Sequence, residues 1–137
     1  MVPMTTTPCE LSEAECIALL GTTNFGQLAL TRGALPTVVP VHFVAHAGEV
    51  VVHFVDPDDR VPWLDGDIAA LHACVFVDDG SAGWRVCVTG RTRVADARDA
   101  RDLPRAPWIL DGGRLVRLSL DHVCGERLGR RALVAAG

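Results

Sequence analysis

Three histidines, His42, His46 and His53, fall close together, and three aspartates, Asp56, Asp58 and Asp59, follow at once. Imidazole titrates near neutral pH, so a histidine cluster can move protons or ligate haem. The aspartates could supply a general base or a cation site, or cap a solvated turn. His42 and His46 share strand parity and would face the same side. For His46, beside a turn, a surface role is the stronger expectation. The other proton-transfer chemistry is narrow. The chain has no lysine and no tyrosine, and all 13 basic side chains are arginine. No amine is available for a Schiff base and no phenol for proton donation. Five cysteines, Cys9, Cys16, Cys74, Cys87 and Cys124, form no C-x-x-C pair. Their spacings with histidine fit no zinc motif, so no metal site is expected. Cys74 and Cys87 read as small buried apolar residues within strands.

The elements that must position these groups are short. Ser12 and Glu15 form a capping-box pattern, flanked by Leu11 and Cys16, and Gly21 suits the C-terminal end of that helix. The pattern then changes to strands over 27–31, 37–45, 50–55, 73–77, 84–94 and 115–120. Pro40 lacks a ladder donor and marks an edge, a bulge or a ligand-facing position. Residues 37–55 read as a hairpin turning at Ala47-Gly48. A short helix is expected within 60–72, with Trp63 as a core anchor, and a charged surface helix over 96–103. Residues 1–9 read as a loose arm and 129–137 as a frayed tail.

At 137 residues, 49% apolar, the chain is one domain able to bury a core. A net charge of −4 with dispersed arginines argues against nucleic acid. No apolar run has membrane-spanning length. No signal peptide is visible, and free thiols point to a reducing, cytoplasmic setting. No nucleophile elbow, P-loop or Rossmann glycine pattern occurs.

Four segments carry a family resemblance: Gly26-Gln27-Leu28-Ala29-Leu30, Pro40-Val41-His42-Phe43 followed by Gly48 to Val52, Gly83-Trp84-Arg85-Val86-Cys87-Val88-Thr89-Gly90-Arg91, and the closing Leu115 to Leu118 with Gly125-Glu126-Arg127-Leu128. In order and spacing, over roughly residues 11–128, they resemble the flavin-binding split barrels related to pyridoxamine 5′-phosphate oxidase. The resemblance implies a mainly β split barrel of about six strands with flanking helices, closed so that few edges are left. It implies a homodimer with FMN between subunits. Pro40, Val41, His42 and Phe43 would lie along the flavin ring, and Trp84 would line the pocket or the seam.

The phosphate side departs from the family pattern. His53-Phe54 stands where the family often has Arg-Thr, and Asp56-Pro57-Asp58-Asp59-Arg60 replaces a Gly- and Lys-containing loop. Arg60 is the stand-in for the lysine, with Arg85 or Arg91 as further cations. A phosphate dianion is best held by guanidinium forks and backbone amides, and nearby carboxylates oppose it. Two functions are therefore expected to compete. One is flavin-dependent oxidoreduction of a small organic substrate, with His42 or His53 as proton donor and FMN, or a deazaflavin, as cofactor. The other is a flavin-less barrel, acting as a cofactor-free cyclase or isomerase or binding haem or another small molecule.

Overall fold

The computed structural model describes residues 7–55, 64–77, 79–95, 103 and 115–129. Strand β1, Thr7–Glu10, precedes helix α1, Glu13–Leu20. Then come β2 (Phe25–Arg32), β3 (Leu35–His46), β4 (Glu49–Phe54), β5 (Ile68–Phe76), β6 (Gly83–Ala95), β7 (Leu115–Ser119) and β8 (His122–Gly129).

The helix begins where two side chains satisfy the first orphan amides. Glu15 N–H donates to Ser12 Oγ at 3.1 Å, and Ser12 N–H donates to Glu15 Oε1 at 3.0 Å. These bonds from Ser12 hold the Glu15 carboxyl below its usual range. Leu11 and Cys16 are both buried beside the cap. Gly21 ends the helix in a right-handed conformation, with its N–H turned back onto Ile17 and Ala18 carbonyls.

Every strand pairing is antiparallel, and six strands close a barrel in the order β2-β3-β4-β7-β6-β5. Alternation decides what goes inside. Leu28, Leu30, Val41, Phe43, Val50, Val52, Leu71, Val86, Val88 and Leu118 are buried and share one core cluster. A fully buried Phe or Leu side chain is worth about 1.5–3 kcal/mol relative to exposure, and period-two patterning delivers these together.

Strand β6, with 13 residues, is the spine. One edge pairs with β5 over Gly83–Arg91. The other edge pairs first with β8, over Gly83–Thr89, then with β7, over Thr92–Ala95. The change of partner falls at Gly90, where a Cβ would lie 1.8 Å from the Ser119 carbonyl oxygen. No side chain fits there, and Arg91 N–H donates to Ser119 Oγ at 2.9 Å to hold the junction. Beside it, Thr92 is buried but satisfied, its hydroxyl donating to Asp67 O at 3.0 Å and accepting from Asp67 N–H at 3.1 Å.

The mainly β barrel agrees with the sequence. Several boundaries do not. Residues 7–9, expected in a loose arm, pair with β8, and Gly129 belongs to β8 rather than to a tail. Residues 68–72, part of the span 60–72 in which a short helix is expected, open β5. Strand β8, His122–Gly129, is not among the strands expected from the sequence. Its partner, the outer edge of β6, is set by the fold rather than by local pattern. The expected helix over 96–103 falls almost wholly outside the described residues.

Candidate functional site

Alternation along β3 and β4 sends alternate side chains out of the barrel. Val41 and Phe43 are fully buried inside, so only their backbone is open to a ligand. Pro40 and His42 point the other way, as does His53 on β4. His42 and His53 are directly opposed across the β3–β4 ladder. Their rings stack, with centroids 5.8 Å apart and planes at 27°. On the opposite side, Phe25 of β2 is the register partner of His42, and its ring meets the imidazole edge-on at 5.9 Å and 71°. Three rings therefore form a row across three strands. Nδ1 of each imidazole is buried.

A second row runs beside the first, Pro40–Gln27–His72–Cys87–Cys124, each residue the register partner of the next. Val55 N–H donates to the Pro40 carbonyl at 3.4 Å, which extends the β3–β4 edge past the proline. Burial, reinforced by the Arg85 guanidinium, pushes the pKa of His72 below the ordinary histidine value. Both causes favour the neutral imidazole of His72. Phe25, Val38 and Ile68, all at least half exposed, share this outer face with Ala29 and Ala70.

The other expected site residues are placed differently. Trp84, expected at the pocket or the seam, is only 8% exposed and belongs to the barrel core. Its parity on β6 is that of Val86 and Val88, so it cannot face the outer strip. Arg60, Trp63, Asp56, Asp58 and Asp59 lie outside the described residues. The two other cations considered for the flavin phosphate each have a partner and line other concavities than the strip. Arg85 donates to Glu126 at 2.9 Å and Arg91 to the Gly66 carbonyl at 2.6 Å. His46 lies at the far end of the β3–β4 hairpin, opposite Glu49. Cys74, expected to be buried, is exposed, and Cys87 is half-buried. Among the described residues no group of three His, Cys, Asp or Glu side chains gathers as a metal site. No described helix is long and apolar enough to cross a membrane.

The cross-strand partners of Pro40, His42 and His53 include Gln27, Phe25 and Leu115, none of them charged. The strip can therefore receive a flat, largely apolar ring and offer imidazole to its polar edge. A separate concavity of about 510 Å³ lies by the β4–β7–β6 surface, between Arg91, Arg93 and Arg117 and the carboxylates of Glu49, Asp65 and Asp121. There the Glu49 carboxylate bonds to Arg117 and lies 3.9 Å from Arg93, so the charges largely satisfy one another. Sequence reasoning missed the second row. Its members sit on five strands, and no local spacing connects them.

A family model described as pyridoxamine 5′-phosphate oxidase matches residues 12–125. The fold is similar to that of an FAD-binding protein from Mycobacterium smegmatis, at 23% identity and a TM-score of 0.72, over 90% of this chain and 98% of that one. An FAD-binding protein from Mesorhizobium loti is similar at 18% identity and a TM-score of 0.73, over 90% and 98% of the two chains. An FAD- and heme-binding protein from M. smegmatis aligns at 17% identity and a TM-score of 0.65, over 93% of this chain and 80% of the other. No curated protein matches the sequence.

Proposed function

The chain belongs to the pyridoxamine 5′-phosphate oxidase family, and we propose that it is a flavin-dependent oxidoreductase acting on a small organic substrate, with the flavin on the outer face of β3 and β4 at the seam of a homodimer. The observation that carries this reading is the strip formed by Pro40, His42 and His53 with Phe25, on the segment where the family resemblance puts the ring. Similarity to proteins that bind FAD supports a flavin in general. The exposed Phe25, Val38 and Ile68 support a second copy as the cover, since apolar clusters of this kind are usually buried in a partner.

A bound flavin would supply hydride chemistry. The chain's own residues do the rest. Val41 and Phe43, locked in the core, hold the β3 backbone rigid beneath the strip. Pro40 and Phe25 offer apolar contact to a flat ring. His42 and His53, whose Nδ1 atoms are buried, are the residues of the strip that would hold or give a proton. The phosphate end falls to His53 and to Arg60, which lies outside the described residues.

One observation favours a second reading, a cofactor-free cyclase or isomerase that uses the same strip. Pro40, His42 and His53 have no guanidinium among their cross-strand partners, so the described strip offers little to a phosphate dianion. The two readings separate cleanly. Any cofactor released from the purified full-length chain is identified, and the stripped protein is titrated with FMN and FAD by flavin fluorescence. Saturable binding is expected, weakened about tenfold, or about 1.4 kcal/mol, in His53→Ala. Failure of both flavins to bind, with any turnover unchanged by stripping, would sink the flavin reading in favour of the second.

A further inference from the structure

Two thiols that the site above does not use are held face to face. Cys87 on β6 and Cys124 on β8 are register partners in an antiparallel pair. Directly opposed residues in such a pair have Cα atoms about 4.5–5.5 Å apart. A disulfide spans about 4.4–6.8 Å. Parity agrees, because Val86 and Val88 point into the core and Cys87 therefore points out, beside exposed Cys124. Burial, followed by the neighbouring Cys124, pushes the Cys87 thiol up, so the exposed Cys124 is the better first nucleophile.

Next to Cys124 is a cavity of about 340 Å³, lined also by Glu10, Arg85, Gly125 and Glu126. It carries both signs of charge. Arg85 is tied to Glu126 through Nη1 at 2.9 Å, while its buried Nε makes no hydrogen bond among the described residues. Glu10 stands opposite Glu126 on β1, which gives the cavity a second carboxylate. Such a cavity suits a ligand that has both an ammonium and a carboxylate near a sulfur.

We propose that Cys124 and Cys87 form a redox dithiol, oxidised to a cross-strand disulfide by a zwitterionic low-molecular-weight disulfide held in this cavity. The Cys124 thiolate attacks one sulfur of the ligand. A Cys124–ligand disulfide forms and the first ligand thiolate leaves, taking a proton from water. Cys87, losing its proton, then attacks Cys124 Sγ, expelling the second ligand thiolate, which is also protonated. The two protein thiols give up two electrons and two protons, and the ligand disulfide becomes two thiols. Exposed Cys74 is the internal control. Its register partner on β6 is Arg85, not a thiol, so exchange there stops at the mixed disulfide.

The test uses the reduced full chain with glutathione disulfide, followed by intact mass and peptide mapping. The expected product is a linked Cys87–Cys124 peptide, with the mass of two hydrogen atoms lost and two glutathiones released per chain. Cys87→Ser should arrest the reaction with one glutathione on Cys124. Glutathione disulfide should react several-fold faster than uncharged hydroxyethyl disulfide, and Arg85→Gln should remove that advantage. Absence of the linked peptide, glutathione on Cys74 as fast as on Cys124, or equal rates with the two disulfides would each overturn the proposal.

Discussion

His72 shows how placement sets the chemistry of a single residue. Its partners across the sheet are Gln27 on β2 and Cys87 on β6, with Arg85 nearby. Burial first, then the guanidinium, disfavour the imidazolium, so the folded pKa lies below the ordinary histidine value. The unfolded chain then takes up a proton that the folded chain resists. The contribution of His72 is fully present above the unfolded value and is lost as pH falls through the folded one. Urea midpoints measured at a series of pH values should decline on acidification below about pH 6.5. His72→Gln should flatten that decline, and an identical slope in the variant would refute the assignment. The stacked pair of His42 and His53 is a different case, because each ring has an aromatic neighbour and faces outward, where a ligand can meet it.

At the scale of the element, β6 determines the architecture. It holds β5 along one edge and hands the other from β8 to β7 at Gly90. The carbonyl of Ser119 passes so close that a methyl group at Gly90 would meet it at 1.8 Å. Gly26 is a milder case, where a Cβ would lie 2.7 Å from the His72 carbonyl between β2 and β5. Gly90→Ala should therefore push β7 from β6 and cost about 1–3 kcal/mol in chemical denaturation. A variant within about 0.5 kcal/mol of the parent would show that the junction relaxes freely. The effect is steric rather than conformational, because Gly90 is not among the glycines with positive φ.

For the whole molecule, the informative surface is the outer face of β2, β3 and β5. Val38 is 62% exposed and Ile68 54%, on strands whose inner faces carry the core. An open apolar sheet face costs solubility unless another surface covers it. In the proposed dimer, Val38→Arg places an unpaired charge at the seam, at a cost of several kcal/mol. Sedimentation should show a dimer for the parent and a monomer for the variant, with flavin affinity falling alongside. A parent chain that sediments as a monomer and still binds flavin would break the link between assembly and site.

Most of the strands were legible along the chain because strand periodicity is a local property, while their closure into a barrel was implied by the family resemblance. Six strands, the Ser12 capping box and the β3–β4 hairpin follow from neighbours a few residues apart, whereas the pairing of His42 with His53 came from the register of the structure. The sequence also determined the narrow choice of proton carriers, through the absence of lysine and tyrosine. Only the tertiary structure decided that Trp84 faces the core, that β8 is a strand, and that Cys87 meets Cys124. Each of these depends on which edge of β6 is joined to which distant segment. Side-chain direction alternates with every residue, so that long-range register, invisible to local pattern, sets which groups share a face.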